Sequence, residues 1–100
     1  MTLEFKKNFE IFFEGCQKIY DKYWEQMGFS HQKDEFSFSV GKKYVKVFYG
    51  GSVHSFVDMT NGNVLKPASW ATPAKGSRGN IFDEKNGLGR MTAYGPQYNK

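Results

Sequence analysis

The segment AKGSRGN, residues 74–80, concentrates groups able to hold an anion. Gly76 and Gly79 free the backbone to turn N–H groups toward one point, and such a concave set of amides binds phosphate-like ions. Lys75 and Arg78 flank the turn, Ser77 and Asn80 add hydrogen-bonding groups, and Lys66 and Arg90 carry further positive charge on either side. A guanidinium suits phosphate because its planar fork makes two parallel contacts. A glycine-rich surface loop with solvated cations is the plainer alternative. The spacing G-x-x-x-x-G-K-[ST] occurs nowhere, so nucleotide hydrolysis by a P-loop is not indicated.

Trp70 stands among alanines and prolines, either as a plug closing the open end of a sheet or as a platform for a stacked ring. Tyr44, Lys46 and Phe48 alternate onto one strand face. Rings and cations arranged so on a sheet bind single-stranded nucleic acid by stacking and by neutralising its backbone; the alternative is a half-buried face covered by the C-terminal segment. The aromatic signature and strand order of an RNA-recognition motif are absent. His31 and His54 lie far apart, and Cys16 falls on an apolar helical stripe. No Cys/His spacing suits a metal, and no nucleophile has a positioned base. No catalytic residue, metal or cofactor is therefore expected, and the reading is of a binding protein and not an enzyme.

These groups need a scaffold, and hydrophobic periodicity supplies one. Phe5, Phe9, Phe12, Cys16, Ile19, Tyr23 and Met27 recur at steps of three or four, which predicts one amphipathic helix over residues 3–27. Thr2 suits its N-cap and Gly28 its end, while Gly15 marks a kink or a close approach. Phe13, Tyr20 and Trp24 form an adjoining stripe, either a broader core face or a contact between copies in a homo-oligomer. From residue 34 the period becomes two. EFSFSV, YVKVFY, VHSFVDM and VLK read as strands separated by GKK, GGS and an Asn61-Gly62 hairpin turn.

The predicted class is α+β: one long N-terminal helix on a three- to four-stranded antiparallel meander over 34–66, in a single domain. From Pro67 onward regular alternation stops. Trp70, Ile81, Phe82, Leu88, Met91, Tyr94 and Tyr98 argue that 67–100 is ordered but irregular, with one short helical turn near NIFDE.

Of 100 residues, 18% are aromatic, which suits a folded chain with a modest core. The net charge of +4 is uneven. Residues 1–40 hold five Lys against seven acids, and residues 41–100 hold nine Lys and Arg against three. That split points to an anionic partner for the second half, or to lysines that serve solubility. A single cysteine fits a reducing compartment, and neither a signal peptide nor a membrane span is expected.

Residues 41–98 resemble a family of short proteins encoded by tailed bacteriophages, which pair a GKKY-like hairpin with a K-P-A-S-W-x-x-P-A-K-x-x-R-G signature. The matching residues are GKKY at 41–44 with Gly62, Val64, Lys66, Ala68, Ser69, Trp70, Pro73, Ala74, Lys75, Arg78 and Gly79. A histidine commonly follows the PAK of that family, where this chain has Gly76. The resemblance implies a phage or prophage origin and action in the cytoplasm of a bacterial host; it brings no activity with it. Two functions are expected on this footing. One is capture of a phosphate-bearing ligand, nucleic acid or nucleotide, by the basic aromatic C-terminal segment. The other is inhibition of a host defence or polymerase protein, by direct contact or by sequestering a signalling nucleotide as a homo-oligomer.

Overall fold

A computed structural model describes residues 2–28 and 33–96; His31 and Tyr98 lie outside them. Helix α1 spans Leu3–Met27. It starts because the Thr2 hydroxyl accepts the Phe5 N–H at 3.1 Å, satisfying a donor that the first turn leaves open. It stops where Gly28 adopts the left-handed conformation and donates its N–H to the Glu25 carbonyl. Phe5, Phe9, Phe12, Cys16 and Tyr20 are its buried residues, so the stripe expected from spacing faces the core. Ile19 and Tyr23 are half-buried, and Met27 is exposed. Gly15 marks a close approach: the Leu88 side chain occupies the space a Cβ would need.

The sheet has five antiparallel strands in chain order: β1 Phe36–Val40, β2 Tyr44–Tyr49, β3 Ser52–Asp58, β4 Asn63–Pro67 and β5 Pro73–Asn80. The chain is therefore α+β, with one strand more than the sequence pattern led us to expect. Phe36, Val45, Val47, Val57 and Val64 bury their side chains with the helix stripe, Ile81 and Ala93. On the helix-facing side, Phe38 stands edge-on to Phe9 and Phe13 at 5.1 Å from each, and Tyr20 packs on Phe36 and Tyr49.

Two details depart from simple alternation. Val47 pairs with Ser55 but the next residue, Phe48, pairs with Val53, so β3 carries His54 as an extra residue in a bulge. The bulge turns His54 to the helix side, 4.9 Å from Phe36 between ring centroids, although parity alone places it on the face of Asp58. The β3–β4 turn is also longer than an Asn-Gly pair. Gly62 donates to the Asp58 carbonyl, and the Asp58 carboxylate accepts from the Thr60 N–H and hydroxyl.

Residues 73–96 are more regular than the Pro/Gly content suggested. AKGSRGN belongs to β5, and β6 (Met91–Thr92) pairs with β7 (Gly95–Pro96) in a small hairpin. No helical turn forms at NIFDE. Successive turns run through 80–91 instead, with N–H bonds from Asp83, Asn86, Leu88 and Met91 each reaching three residues back. Asp83 pins them: its carboxylate accepts from the N–H groups of Asn80, Lys85 and Gly87.

Candidate functional site

The outer face of the sheet, away from α1, is where chemistry and exposure meet. Strand alternation with Val45 and Val47 buried leaves Tyr44, Lys46 and Phe48 on this side, all half-buried. Phe56 on β3 lies between them, buried and edge-on to Tyr44. The β4–β5 loop then brings Trp70 across. Pro67 and Pro73 face each other at the loop's base, and the Thr72 carbonyl accepts both the Ala68 and Ser69 N–H groups. Proline has no ladder donor to lose at such an end position, so the loop is closed and stiff.

Trp70 therefore sits 6.0 Å from Phe48 between ring centroids, and the Lys46 ammonium lies 4.3 Å from the indole centroid. A cation so placed is attracted by the ring's negative face. Trp70 nevertheless keeps 52% of its surface exposed. It is not a buried plug closing the end of the sheet.

Two clefts flank this pair. One is lined by Ser39, Gly41, Lys42, Lys43, Tyr44, Lys46, Phe56 and Ala71. The other is lined by Gly51, Ser52, Val53, Pro67, Ala68, Ser69 and Trp70. Lys46 lines the first, Trp70 the second, and the two side chains touch, so the clefts adjoin across that pair and together make a divided track on the outer face. Lys42, Lys43 and Lys46 supply its charge, with Lys43 also 5.4 Å from the Tyr44 ring centre.

The expected cradle at 74–80 does not join this track. Ser77, Arg78 and Gly79 line a separate cleft of about 340 Å³ with Asp83, Glu84, Lys85, Gly89 and Arg90. The reason is local: these residues are laddered to β4, with Ser77 opposite Leu65 and Asn80 opposite Asn63, so they cannot curl into a ring of amides around one ion. Gly76 holds a positive φ of 94° within the strand, and its carbonyl accepts from Arg78 Nη1 at 2.9 Å. Ser77 is turned on its own strand, donating to the Gly79 carbonyl.

Asn80 is a staple. Its amide donates to the Asn61 carbonyl and the Asn63 side chain and accepts from the Phe82 N–H. Lys75 is exposed and lines none of the three clefts, and Lys66 is half-buried with its ammonium 3.5 Å from the Pro96 carbonyl.

Arg78 is the unusual member of this third cleft. It is only 8% exposed and its Nε has no hydrogen-bond partner. Among the described residues no carboxylate lies within ion-pair distance of it; the ion pair found there is Lys33 with Asp21 at 3.7 Å. A buried guanidinium with a donor left unmatched is costly, and Asp83 and Glu84 line the same cleft beyond ion-pair distance.

Of the helical stripe read as either a broader core face or a contact between copies, Tyr20 is buried against Phe36 and Tyr49 and offers no surface. Phe13 packs on Phe9 and Phe38, and Trp24 is half-buried against the core. Sequence reasoning missed His54 as a core group. Burial lowers its pKa to about 4, with the Thr92 carbonyl pulling upward and the Lys66 charge pushing further down. Cys16 is also buried, which raises its thiol pKa far above the ordinary range. Among the described residues no three His, Cys, Asp or Glu groups gather to hold a metal, and no helix is long and apolar enough to cross a membrane.

No curated protein and no solved structure matches this chain. Over residues 4–94 it matches DUF7717, a family of unknown function, and the chain belongs to that family.

Proposed function

We propose that this protein binds single-stranded nucleic acid, without catalysis, along the outer face of its sheet. The observation that carries this reading is Trp70: a half-exposed indole, held by a closed loop, tilted against Phe48 and faced by the Lys46 ammonium between two open clefts. Unpaired bases stack on such rings, and Lys42, Lys43 and Lys46 neutralise the phosphates between them. The resemblance of residues 41–98 to tailed-bacteriophage proteins supports a place of action in the host bacterial cytoplasm.

Fluorescence anisotropy with labelled 12-nucleotide DNA and RNA strands, and with the matching duplexes, tests the proposal. Single strands bind more tightly than duplexes, whose bases are not free to stack. Trp70→Ala weakens single-strand affinity roughly 5- to 150-fold, the worth of about 1–3 kcal/mol for one stacked base. With three lysines engaged, log affinity falls against log salt with a slope of about −2. Equal binding of duplex and single strand, with no effect of Trp70→Ala, rules out stacking. Absence of binding to every probe at low salt favours a host protein as partner.

A second reading rests on Arg78: the 77–90 cleft holds the phosphate of a small nucleotide. Inorganic phosphate and a nucleoside monophosphate then raise the thermal midpoint of the wild type, by about 2.7 kcal/mol of linkage at a hundredfold excess over Kd. Arg78→Met folds, since a hydrocarbon of similar length replaces an uncompensated charge, and it no longer responds to either ligand. An equal response from Arg78→Met refutes this cleft as the site.

A further inference from the structure

We propose that β1 pairs antiparallel with β1 of a second copy, joining two sheets into one ten-stranded sheet. The order β1-β2-β3-β4-β5 leaves two edges, and they are not alike. β5 begins at Pro73, shifts register twice against β4, and folds Arg78 back on Gly76. Prolines, bulges and inward charges are the devices that stop an edge from recruiting another strand. β1 has none of them. FSFSV carries no charge and no proline, and its register with β2 is unbroken over all five residues.

The free backbone groups on this edge can be identified. The Gly41 N–H bonds to the Tyr44 carbonyl at 2.9 Å, which makes Gly41 and Tyr44 a hydrogen-bonded pair. By alternation Ser39 and Ser37 also face β2, while Phe36, Phe38 and Val40 turn their backbone groups outward. An independent contact agrees: the Phe36 N–H leaves the sheet and donates to Gln17 Oε1 at 2.7 Å. Gln17 thus covers one end of the edge. The N–H and C=O groups of Phe38 and Val40 remain, and their side chains are 44% and 52% exposed.

One register uses these four groups and no others. Centred on Ser39, it lets Phe38 exchange both bonds with Val40 of the second copy, and the symmetry repeats the exchange. Ser39 then faces its own counterpart, and Glu35 lies opposite Lys43 of the second copy. Charge favours this direction. Asp34 and Glu35 precede the strand and Lys42 and Lys43 follow it, so antiparallel pairing sets each acidic end against a basic end, whereas parallel pairing opposes like charges.

Ser39 also lines the lysine-rich cleft of the outer face, so the two clefts meet at the dyad and the basic, aromatic track doubles in length. The pairing does not depend on what that track binds, and it is measured without any ligand.

Sedimentation equilibrium of the full chain reads the mass. The expected result is twice the chain mass at high micromolar concentration. Glu35→Lys and Lys43→Glu each weaken self-association about tenfold, because two symmetry-related pairs turn from attractive to repulsive. Mixing the two variants restores dimers, since each then meets the opposite charge. Ser39→Cys cross-links on mild oxidation faster than Ser37→Cys, and buried Cys16 does not compete. Circular dichroism melts confirm that the variants fold. A wild-type monomer at 0.5 mM overturns the pairing, and so does failure of the mixed variants to associate.

Discussion

His54 gives the fold a pH dependence that its ordinary chemistry would not suggest. The imidazole has no exposed surface, lies against Phe36 and Tyr49, and bonds through Nδ1 to the Ser55 hydroxyl at 3.0 Å. Desolvation disfavours its charged form, and the Lys66 charge adds to this against the opposing Thr92 carbonyl, so the folded pKa falls from 6.5 to about 4. The unfolded chain takes up a proton that the folded chain refuses. Stability contributed by the neutral ring is therefore complete above pH 6.5, declines as pH falls through that value, and is fully lost below the folded value near 4. Between pH 7 and pH 5 the two values give a loss of about 2 kcal/mol. Urea unfolding of the wild type and of His54→Phe at both pH values measures it. Phenylalanine keeps a ring among rings and has no proton to take up, and comparison with the wild type cancels any contribution from His31. The expected result is a fall of about 2 kcal/mol in the wild type beyond that of the variant. Parallel losses in the two proteins would falsify the assignment of a neutral, buried imidazole.

Two further outcomes bear on the parts that hold the site in place. Gly95→Ala sets a Cβ about 2.5 Å from the His54 carbonyl oxygen, a backbone atom that cannot step aside, so urea unfolding shows a loss of about 1–3 kcal/mol. Asp83→Ala removes the acceptor of three backbone N–H groups at 80–87. Hydrogen exchange then speeds at Lys85 and Gly87 while β2 and β3 amides stay protected. Burial opposes ionisation of Asp83, but the Gly87, Asn80 and Lys85 N–H groups outweigh it and lower its pKa. The turns are therefore tightest above the ordinary carboxylate range and loosen as pH falls below it.

How far the sequence carried the structure depended on which physical rule governed each stretch. The helix and β1 through β4 were legible because each has one buried and one wetter side, and burial writes its period into the residues. β5 was not, because PAKGSRGN has no apolar alternation; its strand form comes from ladder bonds to β4, to which side-chain type is nearly blind. The pairing of Pro67 with Pro73 at a loop base was the available hint, and it was masked by reading prolines as the end of regular structure. The bulge at His54 is equally silent in composition, yet one extra residue moved an imidazole from an outer face into the core. Of the site, Tyr44, Lys46 and Phe48 declared themselves by alternation. Trp70 did not declare its place above them, since 22 residues separate it from Phe48 and a loop closure brings it over.

Trp70 also separates a binding face from a packing face, because the two uses of an indole leave different thermodynamic marks. A ring kept for stability is buried, as Phe56 on the same sheet is at 3% exposed, and removing such a ring costs about 3–5 kcal/mol. Trp70 keeps half its surface in water, so the area it withdraws from solvent stabilises far less. Its loop is nonetheless ordered by two N–H bonds into one carbonyl, which fixes the ring before any ligand arrives. A preorganised ring loses little entropy on capture and returns most of its stacking energy as affinity. Trp70→Ala is therefore expected to lower stability by no more than about 1 kcal/mol in urea unfolding while lowering single-strand affinity by the larger amount. Should the unfolding loss instead match that of Phe56→Ala, the indole is holding the sheet together, and the outer face loses its claim to be a track for bases.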